Sequence, residues 1–173
     1  LHSHCFAEME NGNLMIAVWR EVPDEIAKKV QGGQPDTELN GVMWGEAIQE
    51  IDKETKEVVW EWNSYDHLDV DIDILGPLHP RDRWTNLNAI TMMPDGNLLV
   101  SFRCINTIVI IERTTGNIIW RFGPGEIAGQ HNPTLLENGN ILLFDNGAHR
   151  AYTTIDFSRV IEVNPTTNKI EWE

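Results

Sequence analysis

Residues 95–122 read DGNLLVSFRCINTIVIIERTTGNIIWRF. The runs NLLVSFR and TIVIIE are apolar, rich in β-formers and bounded by turn residues, which is the signature of strands. The Asp-Gly pair that opens the stretch predicts a type I′ hairpin turn, because both central residues of that turn need positive φ. A second turn at Thr-Thr-Gly-Asn leads into NIIWRF, so an inner hairpin is followed by an outer one closed by Trp120.

The unit recurs on both sides. ENGN at 10–13 and ENGN at 137–140 repeat the first turn of PDGN at 94–97. IDKETKEVVWEW at 51–62 and VNPTTNKIEWE at 163–173 repeat the second, each with a Trp five residues after a Thr, Trp60 and Trp172. Repeated hairpin pairs are the layout of propeller blades, four-stranded sheets set around an axis. The expected fold is therefore all-β: a β-propeller of four-stranded antiparallel blades, of which this chain covers about three. The copies differ in length, with 49 positions from Asn11 to Trp60, 25 from Asp95 to Trp120 and 34 from Asn138 to Trp172. Residues 1–173 are thus expected to form one partial propeller domain with insertions at 20–45, 63–85 and 147–158. Only VPDEIAKKV at 22–30 has a helical look. Three blades do not close a ring, so the open edges are expected to pair with further sequence or a second chain.

Composition fits a globular domain, with 41% hydrophobic and 23% charged residues among 173. No stretch has the length and apolarity of a membrane span, and the first residues lack the layout of a signal peptide. The net charge of −14 is uneven: residues 1–85 carry 7 Lys/Arg against 18 Asp/Glu, and residues 86–173 carry 6 against 9. A phosphate backbone is repelled by such a surface, which argues against nucleic acid as a partner. Cys5 and Cys104 are too few for a disulfide framework and lack metal-ligand spacing; they are read as one disulfide or two thiols.

The repeat also aligns chemistry. His4, Asn88 and His131 each stand seven positions before the first turn of their unit. In a blade that offset brings each to the same depth at one face. A neutral imidazole such as His131 is a competent nucleophile near pH 7 when one ring nitrogen is held by an acceptor. Gln130 beside it and Asp145 in FDNGAHR are candidates to orient ring or substrate. Arg103 ends an apolar strand, and its planar fork suits a carboxylate, phosphate or sulfonate. Arg150 and Arg159 read as anchors of the insertion between them. DHLDVDID at 66–73 has the oxygens for calcium but not the glycine of an EF-hand loop, so it reads as a solvated acidic loop in which His67 is a candidate rim contact. Trp84, with Trp62 and Trp44, is either an aromatic wall or core.

Together RWTNLNAI, NLLVSFRCINTIVIIERTTGNIIWRFG, QHNPTLLENGNILLFDNG and SRVIEVNPTTNKIEWE resemble the arylsulfotransferase family, the bacterial PAPS-independent aryl-sulfate sulfotransferases. The resemblance implies a six-bladed propeller, a periplasmic or secreted setting and transfer of a sulfuryl group from a phenyl sulfate to a phenol. It implies no cofactor and no metal, because an aryl sulfate is itself an activated donor. By the family's motifs the nucleophile is His131, the anion-binding arginine is Arg103, and the histidine before the first turn is His4, with His2 as the alternative. The family commonly has a histidine where this chain has Asn86, and an amide can donate a hydrogen bond but cannot shuttle a proton. Two rival readings remain on the residues alone: a metal-dependent propeller hydrolase or lyase drawing on DHLDVDID, and a non-catalytic propeller that binds an anionic or aromatic ligand.

Overall fold

Strands that alternate with tight Asx-Gly turns have no length of chain for anything but antiparallel neighbours. A computed structural model of the chain, which describes residues 1–150 and 157–173, contains meanders of that kind. Two compact units divide the chain, Leu1–Leu87 and Asn88–Glu173.

In the first unit β1 (His2–Glu8), β2 (Leu14–Glu21), β4 (Trp44–Ile51) and β5 (Val58–Asn63) form one antiparallel sheet in the order β1-β2-β4-β5. Between them lie β3 (Gly32–Gln34) and, beyond them, β6 (Leu75–Pro80). In the second unit β7 (Leu87–Met92, whose first residue closes unit one), β8 (Leu98–Phe102), β9 (Thr107–Ile111) and β10 (Ile118–Phe122) form a second sheet. A third is made by β11 (His131–Leu135), β12 (Ile141–Asp145), β13 (Arg159–Asn164) and β14 (Lys169–Trp172). The all-β expectation and the four-stranded sheets hold. Helix is confined, among the described residues, to the short turns Asp24–Ala27 and Ser64–His67. None is long or apolar enough to cross a membrane.

The core of the second unit follows from register. Leu99 faces Ile110 across β8 and β9, and Ile141 and Leu143 face Val163 and Ile161 across β12 and β13. All six are buried together with Ile108, Phe122 and Ile127. Every residue of β8 and β9 is buried, which is why these strands read as continuous apolar runs rather than alternating ones.

The inner turns differ from the type I′ form. Gly12, Gly96 and Gly139 have φ of +81°, +85° and +83°, whereas Asn11, Asp95 and Asn138 keep negative φ. Each turn is a four-residue reversal (Gly12 N to Met9 O, 2.8 Å; Gly96 N to Met93 O and Gly139 N to Leu136 O, both 2.9 Å) with the glycine as a left-handed bulge. The side chain decides this. Oδ1 of Asn11, Asp95 and Asn138 accepts the amide two residues on at 2.9, 3.0 and 3.0 Å, a bond that needs an Asx residue ahead of the glycine.

The last Asn of the turn then ties the inner hairpin to the outer one. Asn13 Oδ1 accepts Lys53 N–H at 3.1 Å and Asn97 Oδ1 accepts Arg113 N–H at 3.2 Å. The third sheet has Pro165 at that place, with no N–H to give. There Asn140 holds Glu162 through its Nδ2 at 2.6 Å instead.

The first two expected insertions meet. β3 and β6 pair in parallel, Gly32 opposite Leu75 and Gln34 opposite Pro80. Arg81 is the knot: its guanidinium donates to Glu38 Oε1 (2.7 Å) and to the carbonyls of Val30 (2.9 Å), Gly32 (2.7 Å) and Ala27 (3.1 Å), while its amide donates to Thr37 Oγ1 (2.7 Å). Of the third insertion, at 147–158, residues 151–156 lie outside the described residues.

At the outer turns Lys56, Gly116 and Asn168 share the left-handed conformation, with φ of 63°, 77° and 57°. A lysine there carries steric strain that glycine does not. Lys56→Gly is expected to stabilise the protein by about 1 kcal/mol in urea denaturation, and Gly96→Ala, whose added methyl meets open space but keeps positive φ, to cost about 1 kcal/mol.

Candidate functional site

The seven-residue offset places His4, Asn88 and His131 at the beginning of β1, β7 and β11, the first strand of each sheet. In the second unit hydrogen bonds tie together the segments that carry the candidate residues. His131 is half-buried, and its Nδ1 lies 2.6 Å from Asn146 Oδ1. An amide oxygen can only accept, so Nδ1 carries a proton, and in the neutral ring the lone pair resides on Nε2.

Gln130 is fully buried. Its Nε2 reaches Ser101 Oγ, Phe102 O and Thr107 O, each at 3.1 Å, and its backbone carbonyl accepts from Asn88 Nδ2 at 2.8 Å. The side chains expected to meet substrate at Asn88 and Gln130 thus hold the start of β11 against the β8–β9 hairpin. Arg103 sits in that hairpin's turn, half-buried, and among the described residues no carboxylate pairs with its guanidinium. The last residue of that turn, Asn106, accepts Gly129 N–H at 2.8 Å, so the two segments that carry Arg103 and His131 are bonded to each other.

Asp145 does not reach the histidine by any bond described; Asn146, one residue on, does. Strand alternation turns Asp145 inward, where it is fully buried. Its Oδ1 accepts Ala128 N–H (2.9 Å) and Gly147 N–H (3.2 Å), and its Oδ2 accepts from Arg150 (2.8 Å) and Arg159 (3.0 Å). The two arginines are anchors, and Asn146 is the partner that the sequence did not single out.

In the first unit His4 lies on the exposed face of β1, with His2 two residues before it. Asn86 is half-buried and left-handed, φ 49°, and Asn106 and Asn132 share that conformation at 51° and 52°. Non-glycine residues in this region are uncommon, and here they follow or replace a candidate residue at each segment. Trp84 is fully buried and its indole donates to Asp73 O at 2.7 Å, so it packs as core. His67 stacks on Trp62 at 5.0 Å, and burial holds its pKa below the usual value, which favours the neutral ring. In the acidic loop Asp69 Oδ1 accepts Asp71 N–H (2.8 Å) and Asp73 Oδ2 accepts Asp69 N–H (2.9 Å), so two of its carboxylates fold their own turn. Cys5, half-buried, and Cys104, buried, are not joined in a disulfide.

A cavity of about 440 Å³ opens in this unit between Trp19, Trp44, Leu39, Asp82 and Arg83, with Leu1 at its rim. The Arg83 guanidinium lies 5.7 Å from the Trp19 ring centre. On the same face of the sheet Glu46 stands opposite Trp19 and is fully buried. It accepts from Thr85 Oγ1 through a very short contact, from Ser3 Oγ at 3.2 Å and from the Leu87 amide. Desolvation outweighs these bonds and pushes its pKa up to about 7.

The family profile described as Arylsulfotransferase (ASST) matches residues 1–128. Among solved structures, a crystal structure of a protein of unknown function from Bacteroides caccae is similar at a TM-score of 0.55 and 14% identity, a likeness of fold alone. The similarity covers 97% of this chain and 44% of that one, so the chain spans less than half of that protein's length. A search of curated proteins finds no match.

Two carboxylates give opposite pH dependences. Arg81 holds Glu38 below the usual 4.5, so its stabilising effect is complete above pH 4.5 and is lost as pH falls through its folded pKa. Glu46 titrates near 7 in the fold against 4.5 when unfolded; its contribution is complete below pH 4.5 and is lost as pH rises to 7, a decline of roughly 3 kcal/mol. Urea denaturation from pH 3 to pH 8 is expected to show both limbs, with Glu46→Gln flattening the upper limb and Glu38→Gln the lower.

Proposed function

This chain belongs to the arylsulfotransferase family, and on that premise we propose that the protein of which it forms part moves a sulfuryl group from a phenyl sulfate to a phenolic acceptor through a sulfohistidine at His131. The observation that carries the reading is the 2.6 Å contact between His131 Nδ1 and Asn146 Oδ1. It fixes the tautomer in which Nε2 is the nucleophile, as covalent catalysis by a histidine requires.

In the proposed first step Nε2 attacks sulfur, the S–O bond to the aryl group breaks and the phenolate leaves. In the second, a phenol oxygen attacks the sulfur of the sulfohistidine, its proton passes to water or to the phenolate released in the first step, and the S–Nε2 bond breaks to restore the neutral ring. Arg103 is the cation of its unit suited to the sulfonyl oxygens, since a fork of N–H donors matches charge that develops on them. The family's pattern adds His4 and Asn86 to the same task. Independence from PAPS, closure of a six-bladed ring around the site and a periplasmic setting belong to this proposal. They rest on the family resemblance and on the repeated hairpin unit.

Brief exposure of the complete protein to 4-nitrophenyl sulfate is expected to add one sulfuryl group to the intact mass, mapped to His131, and phenol is expected to discharge it. His131→Ala should lose both adduct and transfer. Asn146→Leu should slow transfer by about ten- to a hundredfold, because the ring is no longer held in one tautomer and orientation. Asn86→His should raise turnover by up to about a hundredfold through proton transfer. A complete protein that forms no adduct and transfers nothing is instead a propeller that binds anionic aromatic ligands, the reading that Asn86 favours.

A further inference from the structure

A carboxyl group with no access to water is costly unless its position gives something in return. Glu46 is such a group, placed in the middle of β4 and 0% exposed. Its partners come from two distant segments. Thr85 Oγ1 and the Leu87 amide flank Asn86 on either side, and Ser3 immediately precedes His4. Asn86 itself is held at φ 49°, and among the described residues its side-chain amide takes part in no hydrogen bond. An unusual backbone conformation persists only when its surroundings over-determine it. Here the surroundings are one carboxyl group that grips the residue before and the residue after.

We propose that Glu46 is a positioning residue for the sulfuryl-transfer site: it clamps the arch Thr85-Asn86-Leu87 and the start of β1, and so presents Asn86 and His4 in fixed orientations. The claim rests on the sulfotransfer reading for its consequence and on the clamp for its structure. Glu46 does not touch substrate. Its effect passes through the backbone of residue 86 and through Ser3. Strand register supports the assignment, because Glu46 stands opposite Trp19 with Trp44 two pairs further along, so the carboxyl occupies the same sheet face as the aromatic cavity. Among the described residues no ion pair holds the acid there: Arg83 acts on the carboxyl only through its field.

The test uses the complete protein with Glu46→Gln, which keeps shape and one acceptor oxygen, and Thr85→Val, which removes one arm of the clamp and leaves the acid in place. Transfer from 4-nitrophenyl sulfate to phenol should fall about ten- to a hundredfold in kcat for Glu46→Gln, with KM changed less than about twofold and no loss of Tm. Thr85→Val should show a smaller fall of the same kind. Amide exchange read by NMR should quicken at Leu87 by about tenfold or more in both variants and stay unchanged at Val109 in β9. If kcat is unchanged, or falls only in step with Tm, the positioning role is overturned. If the parent transfers no sulfuryl group, the functional reading fails on its own, and exchange at Leu87 decides the clamp: faster exchange upholds it and unchanged exchange overturns it.

Discussion

A carboxamide without access to water must spend its hydrogens on the protein, and Gln130 spends them on the far end of another hairpin. Its Nε2 reaches Ser101, Phe102 and Thr107, and the backbone carbonyl of Gln130 takes the Asn88 side-chain amide. Each of these bonds is worth about 1 kcal/mol net, but leaving a buried amide unpaired costs more than that. The segment before β11 therefore has one place to lie. His131 is the next residue, so the position of the proposed nucleophile is set by the need to satisfy its neighbour. The Arg103 turn is fixed by the same contacts, since Phe102 and Thr107 bracket it.

The first unit uses a carboxyl for a comparable purpose. Glu46 gathers Ser3, Thr85 and Leu87 much as Gln130 gathers Ser101, Phe102 and Thr107. The difference is electrostatic. An amide is neutral at every pH, whereas burial raises the pKa of the acid at position 46 to about 7, so that it is neutral only below that pH. Asp145 shows the third solution: a buried carboxylate whose two oxygens are taken up by Arg150, Arg159 and two backbone amides. Each buried polar group stands at or beside a loop that carries a candidate residue, and each replaces apolar packing with directional bonds. Loops need that direction more than strands do, because strands are already held by their ladders.

Much was legible in the sequence because it is local. The strand runs, both turn families and the outer Trp residues depend on contacts a few positions apart, and the meanders follow from them. His131 and Arg103 were legible through motif and offset. Where local reasoning went astray, the missing term was still short in range: the Asx side chain took the amide two residues on and changed the inner turn from type I′ to a bulged type I form. Asn146 was missed in favour of Asp145 because a strand's alternation fixes which of two adjacent residues turns inward, and FDNGAHR alone does not say where the strand stops.

What only the tertiary structure decided involves partners far apart in the chain. In WGEAIQEI the acids at 46 and 50 look like a solvent face, yet both are buried, because residues from 3, 13 and 85 cover them. The pairing of β3 with β6 and the five bonds of Arg81 join insertions that the sequence presents as separate loops. Periodicity and turn chemistry act over a few residues and can be read from order alone. The burial of a polar side chain is set by whatever the fold lays over it, and the sequence names the group without naming its cover.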